Sequence, residues 1–340
     1  MSMHNVDELM EMMTQPSQRL IDDVCKIEGD IMILGAGGKV GPSLAIMARR
    51  AFDKAGHAGK VIAVSLFDRS GGRERMEACG VQVIEADLFD PEQLADLPGC
   101  GNIIFMAGKK FGTTDNQSLT WAVNVLLPAK ICERFPSSRF VVFSTGNVYG
   151  DVSALSGGSL EEDEPNPDGE YGQTCLGRER VFEHYAEKNG TESLLFRLTY
   201  AIEMRYGVLY DVARSVLDGS PVCLDRGVYS CIWQGDVCEY AIRSLLHVQN
   251  PPNKLNVTGP QCISTRQTAL RFGRLFGKTP IFRGEETAGG IYGNASKICA
   301  LMGYPHVALD DMMEWQANWI RSGGESIDAP THFESVDGKY

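Results

Sequence analysis

The chain has 340 residues and carries 32 Lys and Arg against 44 Asp and Glu, a formal charge of −12. With no basic run to neutralise backbone phosphates, this balance excludes a nucleic-acid partner. Hydrophobic residues at 43% and charged residues at 22% predict a soluble globular chain of about two domains.

Residues 1–28 read as an acidic N-terminal helical extension with Asp7, Glu8, Glu11, Asp22 and Asp23, and they lack the basic start and apolar stretch of a signal peptide. Apolar runs such as Ile31–Leu34 fall far short of the roughly 20 residues that cross a bilayer, so no membrane partner is expected. Beyond residue 28, strands are predicted at Asp30–Leu34, Lys60–Ser65, Gln82–Glu85, Asn102–Met106, Arg139–Ser144 and Ser193–Arg197, with helices at Gly41–Lys54, Leu119–Phe135 and Tyr171–Asn189 between them. This alternation predicts an α/β fold, a Rossmann-type doubly wound parallel sheet over residues 29–198, to which 229–248 return. From Thr199 onward it weakens into helices at Gly207–Leu217, Asp236–His247 and Thr265–Phe276, so 199–228 and 249–322 are assigned to a smaller C-terminal substrate lobe. The polar tail 323–340 is expected to be an arm or a frayed end. Ten cysteines between Cys25 and Cys299 contain no CxxC pair, and six histidines form no HxH or HExxH cluster. The sequence therefore signals neither a metal site nor a disulfide lattice, and reduced thiols in a cytoplasm are expected.

The first strand runs into Gly35-Ala36-Gly37-Gly38-Lys39-Val40-Gly41 and then a helix. Glycine allows the tight turn, lets the backbone approach a pyrophosphate and packs the helix on the strand, while the helix N-terminus supplies amides and partial positive charge. A nicotinamide dinucleotide is the predicted cofactor. Where the second strand ends, a carboxylate often binds the adenosine ribose. Ser65 stands there instead, followed by Asp68, suited to a ribose, and Arg69, suited to a 2′-phosphate, so NAD and NADP both stay open. Asp87 and Leu88, after the third strand, are candidates to touch the adenine.

Over about residues 30–320 the sequence resembles the extended short-chain dehydrogenase/reductase family, the NAD-dependent epimerases and dehydratases. The spacing of Gly35, Gly38 and Gly41 matches that family's glycine motif, and Phe105-Met106-Ala107-Gly108 is similar to its fourth-strand motif beside the cofactor. Asn124 sits where the family places an Asn in the following helix. Phe143-Ser144-Thr145-Gly146 resembles its serine/threonine segment, and Glu162–Pro167 leads into Tyr171 as the family's loop leads into its catalytic Tyr. The resemblance implies Tyr171 as acid/base, Thr145 and Ser144 at the reacting oxygen, and Met106, Ala107, Gly108, Lys110, Ser144 and Tyr171 beside the cofactor. It also implies a homodimer through helices 119–135 and 171–189, with Val125, Ile131, Val181 and Phe182 among the outward apolar positions.

Two departures stand out. The family's YxxxK places a Lys four residues after the Tyr, where this chain has Cys175, and its RxxNxxGP motif retains Arg197 but has Tyr200 at the Asn position. A phenol with its reference pKa of about 10 is poorly ionised at pH 7, so another cation must replace the missing Lys; Arg178, Lys109 and Lys110 are the candidates. Tyr200, Trp233 and Gln234 are expected to line a substrate pocket with Thr145. These residues predict an NAD(P)-dependent oxidoreductase or epimerase acting on a small-molecule sugar- or polyol-like hydroxyl. A cofactor-binding sensor or scaffold without turnover is the alternative.

Overall fold

The computed structural model describes residues 3–67, 72–113, 115–327, 331–335 and 338. Seven strands, β1 (Ile31–Leu34), β2 (Val61–Ser65), β3 (Gln82–Glu85), β4 (Asn102–Phe105), β5 (Arg139–Thr145), β6 (Ser193–Leu198) and β7 (Asn253–Val257), form one sheet in the order β7-β6-β5-β4-β1-β2-β3. All neighbours are parallel. Both β1 and β4 are buried along their whole length, as strands covered on two faces must be, which is why they read as continuous apolar runs. Chain order reverses between β1 and β4, so a crevice opens at their carboxyl ends.

Two helical layers cover the sheet. On one face lie α2 (Gln18–Val24), α3 (Gly41–Ala55), α9 (Gln234–Arg243) and α11 (Ser296–Met302), whose Leu20, Leu44, Phe52, Val237 and Ile298 share a core with Ile31 and Ile33. On the other lie α5 (Pro91–Asp96), α6 and α7 (Gly169–Asn189), which bring Leu94, Ile131 and Phe182 against Leu34 and Phe105. Helix α6 joins Gln117–Trp121 to Leu127–Arg134 through a π turn, Ala122–Leu126. Pro128 has no N–H to give the carbonyl of Asn124 four residues back, and Arg178 Nε donates to that oxygen instead at 3.4 Å. A second core gathers α1 (Val6–Met13), α8 (Val208–Asp218), α10 (Thr265–Phe276) and α12 (Leu309–Arg321) around Trp319, Tyr229 and Phe272. The short helix α4 (Gly72–Ala78) follows β2.

Several expectations require correction. Segment 253–257, assigned to the second lobe, is the seventh strand of the main sheet, in register with Leu194–Leu198 of β6. Ile131 and Phe182, read as outward positions, are fully buried, because their helices turn those faces to the sheet. The tail is docked: Thr331 and Phe333 are buried, and the Thr331 N–H donates to Asp211 at 3.0 Å. Its Gly338 packs on Asp168 and Gly169 at the start of α7.

Candidate active site

The glycine turn is fixed by close approach. Gly35, at φ +91°, lies so near β4 that a Cβ there would stand 2.4 Å from the Ala107 nitrogen, and a Cβ on Gly41 would stand 2.1 Å from the Ala36 oxygen. Gly38 differs, because a Cβ there meets nothing nearer than 3.7 Å. The space above it is open, as a loop that receives a pyrophosphate requires. A cavity of about 320 Å³ lies there, lined by Gly37, Gly38 and Lys39, by Arg75 and Arg205, and by Val6 and Met10 of α1. Anionic oxygens would meet cations and the N-terminus of α3 in it. A dinucleotide therefore fits these residues.

Ser65 ends β2 with its hydroxyl 2.7 Å from where a Gly37 Cβ would be. Asp68 and Arg69 lie outside the described residues. Asp87 accepts from the Phe89 N–H at 2.9 Å, Leu88 is buried in the core, and neither is among the residues lining the cavity. Met106 continues β4 through an N–H to Leu34 oxygen bond of 2.9 Å.

A second cavity of about 230 Å³ adjoins the first, sharing Lys39 and Ile327. Tyr171, Ser144, Thr145, Val40, Lys110 and Tyr200 all line it. These candidates come from separate segments of chain and meet at the carboxyl ends of β1, β4, β5 and β6. Thr145 Oγ1 donates to Asn147 Oδ1 at 3.0 Å. Ser144 Oγ donates inward to Glu179 at 2.6 Å, within a buried ion pair in which Arg197 grips Glu179 at 3.0 and 2.7 Å and donates to Tyr149 at 2.6 Å.

Cys175 is buried beneath Tyr171. Burial pushes its thiol pKa up, against the opposing pull of Arg178 and of a hydrogen bond with Tyr171, so it stays neutral and supplies no charge. Arg178 is also buried, donating to the Phe143 carbonyl at 2.6 Å and to Asn124 Oδ1 at 2.8 Å. Its guanidinium fills the space beside Gly108, where a Cβ would lie 2.6 Å from it. Asn124 in turn accepts from the Lys109 N–H at 2.8 Å and donates to Thr174 Oγ1 at 2.9 Å. The π turn thus aims Asn124 at the β4 loop, a common use of such turns. Lys110 is the cation of the three candidates that reaches the Tyr171 cleft; burial pulls its ammonium down to about 8. Lys39 is pulled down to about 7, also by burial, with its Nζ 3.4 Å above the Tyr206 ring.

Trp233 and Gln234 do not reach the cleft. Trp233 is buried edge-on against Trp315, and Gln234 Nε2 donates to Ser43 Oγ at 3.0 Å behind the glycine loop, because α9 turns its first residues toward α3. The sequence reading did not single out Tyr206, Thr199, Phe111, Ile327 and Thr331, which line the cleft. Nor did it find Arg75 and Arg205 at the glycine loop. Only tertiary placement distinguishes these from surface residues. Among the described residues no cluster of His, Cys, Asp and Glu could hold a metal, and no helix is long and apolar enough to cross a membrane.

This combination of sheet, glycine turn and cleft defines an α/β protein of the Rossmann type. The model of the NAD dependent epimerase/dehydratase family matches residues 31–251, and the chain belongs to that family. Among solved structures it is similar to UDP-glucose 4-epimerase of Thermus thermophilus in complex with NAD, at 20% identity and a TM-score of 0.69, over 86% of this chain and 99% of that one. The UDP-glucuronic acid 4-epimerase of Bacillus cereus, solved with UDP-glucuronic acid and NAD, is similar at 19% identity and a TM-score of 0.69, over 86% and 99% of the two chains. DesIV, a dTDP-glucose 4,6-dehydratase of Streptomyces venezuelae, gives 18% identity and a TM-score of 0.72, over 86% and 97%. No curated protein matches the sequence.

Proposed function

We propose that the protein is an NAD(P)-dependent oxidoreductase or epimerase acting on a sugar- or polyol-like hydroxyl. The convergence of Tyr171, Thr145 and Lys110 on one cleft beside the glycine-loop cavity carries this reading. The bound dinucleotide supplies the hydride acceptor. Tyr171 takes the hydroxyl proton, and Thr145 hydrogen-bonds the reacting oxygen. Lys110 supplies the charge that Cys175 lacks and favours the phenolate of Tyr171. Similar structures holding NAD support NAD as the cofactor, while Arg75 at the cavity suits a 2′-phosphate as well. Ten free thiols suit a reducing compartment. A homodimer through α6 and α7 completes the proposal, since Leu119, Trp121 and Leu126 of α6 are exposed. Calorimetric titration with NAD and NADP tests the first step, and no heat from either at millimolar concentration overturns it. If a cofactor binds, a screen of polyols, sugars and aldonates tests turnover, with absorbance at 340 nm reporting net oxidation and product analysis by NMR reporting redox-neutral epimerisation. Cofactor binding without turnover by any of them favours the sensor or scaffold role.

A further inference from the structure

The Tyr171 cleft is small, lined by two lysines and bounded on one side by Ile327 and Thr331 of the C-terminal segment. Its volume of about 230 Å³ is below the roughly 300–1,000 Å³ of pockets that hold drug-sized ligands, and a nicotinamide ring has to share it. Part of its wall is the C-terminal tail: Ile327, whose N–H donates to the Arg205 carbonyl at 3.2 Å, and Thr331, held on the Asp211 carboxylate. Beyond them Phe333 is buried in the second core and Gly338 packs at the start of α7, so both sides of the cleft anchor this wall.

The only charged side chains among the described residues lining the cleft are Lys39 and Lys110. Although Lys39 belongs to the glycine loop, its ammonium lies over Tyr206, which lines the Tyr171 cleft and not the glycine-loop cavity. Carboxylates act on both from behind, Glu203 and Asp211 on Lys39 and Asp211 on Lys110, but neither carboxylate lines the cleft, so an anion that enters it meets the two ammoniums first. Both are held below their ordinary pKa by burial, a cost that an incoming anion would relieve. Thr145, Thr199 and Tyr200 supply hydroxyls around them.

We infer that the substrate is a short, free polyhydroxy acid, unlinked to any nucleotide, whose carboxylate is met by Lys39 and Lys110 while a hydroxyl lies beside Tyr171. This rests on the oxidoreductase reading for the use made of the hydroxyl, and on the cleft alone for the carboxylate. The test is calorimetric titration of the full-length protein, saturated with its cofactor, with erythronate, threonate, gluconate and galactonate, against erythritol, UDP and UDP-glucose, with absorbance at 340 nm followed in parallel. At least one free acid should bind at least tenfold more tightly than erythritol, and Lys39→Met or Lys110→Met should each weaken that acid at least tenfold with the melting transition retained. Acid binding without NADH or NADPH formation supports the inference and counts against the oxidoreductase reading. Turnover of neutral polyols with no acid preference keeps the oxidoreductase reading and overturns the inference. Binding of UDP or UDP-glucose at or above the affinity of the acids also overturns it, as does the absence of binding by all four acids.

Discussion

A phenol that gives and takes a proton is tested by removing only its oxygen. Tyr171→Phe should leave cofactor affinity and melting temperature nearly unchanged while turnover falls by roughly 10²–10⁴-fold, and an unchanged rate measured at 340 nm would refute the assigned acid/base. Lys39 gives a prediction in stability. Its ammonium titrates from 10.5 in the unfolded chain to about 7 in the cleft, with burial as the main cause. Above pH 10.5 it is neutral in both states. As pH falls toward 7 the unfolded chain binds a proton that the folded chain does not, so stability declines across that window. Lys39→Met should therefore unfold at higher urea than the natural protein at pH 7, by about 1–2 kcal/mol once partial solvent access is allowed for. The difference should close by about pH 10–11, and a difference that does not change with pH would contradict the assigned burial. Glu179 and Arg197 lie at the other extreme, fully buried and paired. Removing one partner with Arg197→Met leaves an uncompensated carboxylate, and a loss of about 3–5 kcal/mol is expected in denaturant melts.

At the scale of the element, the glycine turn separates folding from binding. Gly35→Ala must fit a Cβ 2.4 Å from the Ala107 nitrogen at a φ of +91°, so strain of about 1–3 kcal/mol or more should appear as a lower melting temperature. Gly38→Ala meets no protein atom within 3.4 Å. It should melt like the natural protein yet lose most of its calorimetric affinity for the dinucleotide, and full affinity in Gly38→Ala would refute the assigned pyrophosphate site. The same turn shows why part of the site was legible in sequence: strand, glycines and helix lie within about a dozen residues, so their spacing alone places them. Ser144, Thr145 and Tyr171 were reached through the family resemblance of their two segments rather than through spacing, and all three line the cleft. Strand β7 was not, because Asn253 and Lys254 open it with polar residues at a sheet edge that demands no continuous apolar run. Trp233 and Gln234 were misplaced because the direction in which α9 leaves its preceding strand depends on α3. Ile327 and Thr331 were missed because a polar tail shows no periodicity, and its docking rests on contacts such as that of Thr331 with Asp211, 120 residues apart in the chain.

At the scale of the whole molecule, the apolar surface left uncovered bears on assembly. Leu119, Trp121 and Leu126 of α6 are 43%, 43% and 53% exposed, whereas Ile131 and Phe182 of the same pair of helices are buried in the sheet core. Trp121 Nε1 donates to Glu170 of α7 at 2.7 Å, which places Trp121 where the two helices meet, while Leu119, two residues before it, points to another side of α6. A two-fold axis against the exposed side of α6 would pair it with its own copy and bury exposed apolar side chains such as Leu126. Burying a large apolar side chain is worth roughly 1.5–3 kcal/mol, part of which must offset the translational and rotational entropy lost on association. Leu126→Glu places a carboxylate at the face and, across a two-fold axis, brings it near its own copy, so the dimer should dissociate to a monomer at micromolar concentration in sedimentation velocity. The glycine loop lies at the carboxyl end of β1, and Leu126 does not line its cavity; cofactor affinity should therefore be unchanged in the monomeric variant. A natural protein that sediments as a monomer at tens of micromolar would remove α6 and α7 as an interface and leave the exposed leucines and Trp121 as ordinary surface.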